Sequence, residues 1–215
     1  MDREILMNYI KKAVYILVAV AFFSVNAGSY DDFFVAIRND DGGAIKALLG
    51  RGFDPNTPDP KGQPGLTIAM QARALNVARA LLDGSANVNA LNGAGESALM
   101  MAALKGDLSG AQLLLERGAQ VNKSGWAPLH YAATGPEPKV VQLLLERGAE
   151  IDAASPNGTT PLMMAAQYGS EDSVRLLLER GADAGKRNQR ELGAADFARL
   201  AGRESLAKRL APASR

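Results

Sequence analysis

The sequence predicts an all-α repeat solenoid, and three observations predict it. A leucine phrase returns five times: Leu48-Leu-Gly-Arg-Gly52, Leu81-Leu-Asp-Gly-Ser-Ala86, Leu114-Leu-Glu-Arg-Gly-Ala119, Leu144-Leu-Glu-Arg-Gly-Ala149 and Leu177-Leu-Glu-Arg-Gly-Ala182. Its first leucines lie 33, 33, 30 and 33 residues apart. A second phrase keeps step half a period ahead, at Pro64-Gly-Leu-Thr67, Ser97-Ala-Leu-Met100, Ala127-Pro-Leu-His130 and Thr160-Pro-Leu-Met163, each followed by small residues such as Ala102-Ala103 and Ala165-Ala166. A unit this short cannot bury its own leucines, so copies must stack.

The chain opens with an address. Lys11 and Lys12 precede a 13-residue uncharged run, Ala13 to Val25, and then the small-x-small triplet Val25-Asn-Ala27. Basic, apolar and small-residue segments in that order form a secretory signal peptide, with cleavage expected after Ala27. The competing reading is an uncleaved anchor, although a spanning helix needs about 20 apolar residues. Either way the folded part, 28–215, is expected outside the cytoplasm. The periplasm is the expected compartment, with secretion or membrane anchoring as alternatives.

The logic of one unit is plain at 153–185. Thr160 is an expected N-cap, and Pro161 sits at the first helical position, where its missing N–H costs nothing. A turn follows near Gly169, and Val174 with Leu176, Leu177 and Leu178 forms the apolar face of a second helix. Gly181 falls where a left-handed residue ends that helix. Six units are expected: an N-terminal cap at 30–56, internal units at 57–89, 90–122, 123–152 and 153–185, and a C-terminal cap at 186–211. In the first cap Phe33, Val35, Ala36 and Ile37 are expected to form the first helix, and Ile45, Leu48 and Leu49 the second. The last unit carries Lys208 and Arg209 where internal units have leucines, which suits a solvated outer face.

These phrases resemble the ankyrin repeat family, whose units open on Thr-Pro-Leu-His and close on Leu-Leu-x-x-Gly-Ala. The resemblance covers about 30–211. It implies helix-turn-helix units joined by hairpin-like fingers, and a protein that binds other proteins. It also implies that His130 hydrogen-bonds its own turn. Departures occur at Gly65-Leu-Thr67, at Gly84-Ser85, where the left-handed glycine is expected to shift by one, and between Val121 and Gly125, where three residues are missing and one finger should be short.

Composition and motifs exclude much else. Residues 28–215 carry 21 charges of each sign, so nothing directs the chain to nucleic acid or an acidic membrane. With no cysteine there are no disulfides and no thiolate chemistry. No triad, nucleophile elbow or metal-ligand spacing is legible, so no enzyme activity, cofactor or metal is expected, and a hydrolase built on His130 is a remote alternative. The acidic pairs Asp31-Asp32, Asp40-Asp41 and Glu171-Asp172 are expected at helix starts or turns. Two sequons, at Asn122 and Asn157, coincide with turn positions.

By resemblance, partners bind a concave surface of finger tips and first helices. Mapped onto this chain, that surface comprises Lys61, Gln63 and Gln71, then Glu96, Leu104 and Lys105, then Lys123, Trp126 and Thr134, and last Asn157, Thr159, Gln167 and Tyr168. Trp126 is the sole tryptophan. With Leu104 and Tyr168 it is expected to form an apolar patch that anchors a protein partner. The array is expected to be monomeric.

Overall fold

The computed structural model describes residues 28–211. Twelve helices fill this span. The first, α1, covers 28–38 of it, followed by α2 (Gly42–Gly50), α3 (Gly65–Gln71), α4 (Leu75–Asp83), α5 (Ala98–Leu104), α6 (Leu108–Glu116), α7 (Pro128–Thr134), α8 (Pro138–Glu146), α9 (Pro161–Tyr168), α10 (Glu171–Glu179), α11 (Ala194–Leu200) and α12 (Glu204–Leu210). From α3 onward the odd-numbered helices pack in one row, and the even-numbered helices from α2 to α10 in a second. One apolar core runs between the rows from Phe33 to Leu210. The expected signal segment, 1–27, lies outside the described residues. Among the described residues no helix is long and apolar enough to cross a membrane.

Short helices survive here because their ends are satisfied. Thr160 caps α9, its Oγ1 accepting from the N–H of Met163, and Pro161 begins that helix. Ser97, Asp107 and Ser170 cap α5, α6 and α10 in the same way. Five of the six second helices, α2 to α10, end on a left-handed residue: Gly52, Ser85, Gly118, Gly148 and Gly181, with φ of 88°, 65°, 86°, 84° and 93°. The expected shift at Gly84-Ser85 does not occur, because Ser85 itself takes the left-handed position. Gly84 has φ −85°, and it is small because a Cβ there would strike Leu49 Cδ1 of the preceding unit.

The first cap consists of α1 and α2. Phe33, Ala36 and Ile37 are buried, but Val35 is 43% exposed and Phe34 (8%) faces the core instead. Helical geometry allows positions 33, 34, 36 and 37 to share a face and leaves 35 outside. Phe33 also explains Gly65: a Cβ on that glycine would lie 2.9 Å from the Phe33 ring.

Fingers join the units. Hairpin bonds close four of them, from Asp59 N to Gln63 O, Asn92 N to Glu96 O, Ser155 N to Thr159 O and Asn188 N to Leu192 O. The shortened finger, within 119–126, has no such bond among the described residues. A ladder of amides ties the finger bases together. Asn56, Asn89 and Asn122 accept from the backbone N–H of Asn87, Gln120 and Glu150 in the next unit at 2.7, 2.8 and 2.9 Å, and Asp152 accepts from Asp183 N at 3.1 Å. Asn122 also donates to Gly148 O, so its amide is engaged at both ends.

Candidate partner-binding surface

In α5, α7 and α9 the third residue is buried, and its side chain bonds the turn before the helix. His130 is 1% exposed. Its Nδ1 accepts the Ala127 N–H at 3.1 Å, and its Nε2 lies 3.0 Å from the Thr159 carbonyl. An N–H on one side and a carbonyl on the other fix the neutral tautomer protonated at Nε2. Burial holds the imidazole below its ordinary pKa of 6.5, against the opposing pull of the backbone bonds. The implied turn bond is present, and the ring also joins two units. Met100, Met163 and Asp196 do the same local task, accepting from Ser97, Thr160 and Gly193 N–H groups.

Trp126 follows Gly125 at the tip of the shortened finger and is half-buried. Its indole meets the His130 ring edge-on, with centroids 5.2 Å apart and planes at 73°. Beside it opens a cleft of about 270 Å³ lined by Leu104, Trp126, His130, Tyr131, Thr134 and Met164. These residues come from α5, α7, α9 and the intervening finger, so three consecutive units build it. Thr134 Oγ1 donates to Tyr131 O at 2.8 Å, so its hydroxyl is engaged within α7. Tyr131 Oη donates to Glu96 Oε1 at 3.0 Å, and Asn92 Nδ2 donates to Glu96 Oε2 at 2.9 Å. Burial first, and then that carboxylate, push the Tyr131 phenol up to about 12.

The cleft gathers three of the expected residues, Leu104, Trp126 and Thr134. Tyr168 is 63% exposed but lies outside it, and Met164 takes the place expected of Tyr168. Lys61, Lys105 and Asn157 are exposed; Gln63, Gln71, Lys123 and Gln167 are half-buried. Thr159 departs from expectation: it is 2% exposed, with its hydroxyl 3.4 Å from Asn188 Nδ2. The hairpin turns that side chain into the next finger. Tyr131 and Met164 were not singled out by the sequence, although both occupy the same helical register, one residue after the buried third position.

A separate groove of about 330 Å³ lies behind, between α10 and α12. Val174, Leu178, Leu206 and Leu210 floor it, and Arg209 bridges it to Glu171 at 2.6 Å. Arg209's hydrogen bond and charge lower the Glu171 pKa. Among the described residues there is no cluster of potential metal ligands.

Paired helices in two rows, amide-laddered fingers and one open front face define a repeat-built binding protein. A sequence model of ankyrin repeats (three copies) matches 33–124 and 120–188, and the chain belongs to the ankyrin-repeat family. It is 38% identical over 111 residues to the rat protein "Ankyrin repeat and SAM domain-containing protein 6", a match covering 49% of this chain and 12% of that protein. The chain thus spans a small part of that relative's length. Membership makes it a protein–protein interaction module of a family that is generally non-enzymatic.

Proposed function

We propose that the array captures a partner protein on its finger and first-helix face, at the cleft beside Trp126, and that it does so outside the cytoplasm. One coincidence carries the first part. The finger that is three residues short belongs to the unit whose first helix floors the cleft, so the missing finger length leaves an apolar floor open. Tryptophan and tyrosine in such clefts supply large contact area at small entropic cost, which is why they dominate binding energy at interfaces. On the back of the same unit, Gln142, Glu146 and Arg147 of α8 and its end are solvated and offer no apolar anchor.

The test is site-specific photocrosslinking in the native extract. A crosslinker at Thr134 should trap a partner, and one at Gln142 on the back should not. Trp126→Ala should cut the trapped yield about tenfold or more, the loss expected of a hot-spot residue, while the melting midpoint stays nearly unchanged. Trapping from Gln142 alone would remove the proposal. For the compartment, the N-terminal segment supports export with cleavage. Mass spectrometry of the mature chain should find Gly28 as its first residue; an intact N-terminus in the membrane fraction would instead establish a tethered scaffold.

A further inference from the structure

Charge is divided between the two faces around the cleft. Across 91–106, 123–135, 153–169 and 186–202, the fingers and first helices, there are six basic and three acidic residues. Across 107–122, 136–152, 170–185 and 203–211, the second helices and the turns flanking them, there are eight basic and eleven acidic residues. Across these segments the front is net basic and the back net acidic, by three charges each.

The front charges are also differently engaged. Asp196 is held by Arg199 at 2.7 Å and by Arg187 at 3.6 Å. Both oxygens of Glu96 already accept from Tyr131 and Asn92. Lys105, directly after Leu104 at the end of α5, makes no ion pair among the described residues. Neither does Lys123, whose Nζ lies by Gly95 on the neighbouring finger, nor do Lys186 and Arg190 on the last finger, where Glu191 is a front acid likewise without an ion pair among the described residues. Neither lysine lines the cleft, but Lys105 follows its Leu104 and Lys123 precedes its Trp126 by three residues on the short finger, and the cleft's volume suits one large side chain.

Resting on the reading that the front face binds protein, we propose that the occupant is an acidic segment of a partner protein with a single large apolar side chain. That side chain enters the cleft against Leu104, Trp126, Tyr131 and Met164. Carboxylates beside it meet Lys105 and Lys123, and more distant ones are drawn by Lys186 and Arg190. The acidic back repels the same segment, so charge favours the correct face as well as binding there.

Trp126 is the sole tryptophan, so its emission reports occupancy of the cleft in the full chain. The probe is an acetylated, amidated nonapeptide with leucine at its centre and aspartate or glutamate elsewhere. It should shift Trp126 emission and bind about tenfold or more tighter than the peptide with central alanine, as expected for loss of a buried leucine side chain. Its affinity should fall with salt. Lys105→Glu combined with Lys123→Glu should weaken it at least about fivefold, given the modest strength of exposed pairs, and improve binding of the peptide with lysine in place of every acid. If the lysine peptide binds the unaltered chain as tightly, the acidic assignment is wrong while the cleft stands. If no peptide changes the emission, the cleft reading fails too. A single-stranded oligonucleotide that outcompetes the acidic peptide would overturn the proposal in favour of a different class of partner.

Discussion

At Thr67 a hydroxyl is buried with nothing to bond, and the cause lies three residues upstream. Its neighbours in register, Met100, His130, Met163 and Asp196, each accept an N–H from the residue before their helix. In this unit that residue is Pro64, which has no N–H to give. Thr67 is fully buried and its Oγ1 has no hydrogen-bond partner. An unpaired buried hydroxyl costs about 1–3 kcal/mol. Thr67→Val keeps the shape and removes the polar atom, so it should raise stability by about 1 kcal/mol in urea unfolding. A loss instead would mean the hydroxyl has found a bridging water.

Helix ends carry the next scale of argument. Five second helices stop on a left-handed residue, and four use glycine, but Ser85 adopts φ 65° with a side chain attached. That conformation costs an ordinary residue about 1–2 kcal/mol. Ser85→Gly should therefore raise the melting midpoint by about 2–4 °C, and Gly148→Val should lower stability by at least about 1 kcal/mol. Space around Gly148 is open, so a loss there measures backbone conformation rather than a clash. Equal midpoints for both variants would show the left-handed ends are not what stops these helices. Glycine spacing made most of these ends legible in the sequence, because backbone need and residue type coincide. At Gly84-Ser85 they part: the glycine answers to Leu49 in another unit, which no local pattern reveals. The amide ladder was written at Asn56, Asn89, Asn122 and Asp152 with the same 33, 33, 30 spacing, but its partners are backbone groups one unit away. The cleft was half legible for a related reason. Variable positions marked Leu104, Trp126 and Thr134, whereas Tyr131 and Met164 look like core until the short finger uncovers them. Arg203 was not legible at all: its guanidinium donates to Ala165, Ala166 and Gly169 carbonyls at 3.1, 3.0 and 2.9 Å, closing the end of α9 from the last unit.

In a solenoid, stability is close to a sum of units and the interfaces between neighbours, so one inter-unit bond can set where the array opens. His130 makes such a bond, from α7 to the Thr159 carbonyl of the next finger. Its pKa is depressed by burial below 6.5. The unfolded chain therefore binds more protons than the folded one between the depressed value and 6.5, and stability rises with pH across that window. The full contribution is present above pH 6.5 and declines as the pH falls, by up to about 1.4 kcal/mol per pH unit for a single group. No other histidine exists to share the effect, and ordinary carboxylates titrate lower. Urea midpoints should thus fall between pH 7 and pH 5, and hydrogen exchange should show α7 and α9 opening before the caps. The chain supplies its own control, since methionine fills the same position at Met100 and Met163. His130→Met should lower stability at pH 7, because the bond to Thr159 is lost, yet flatten the pH dependence. An undiminished drop in that variant would assign the acid sensitivity to carboxylates and separate it from the seam between these two units.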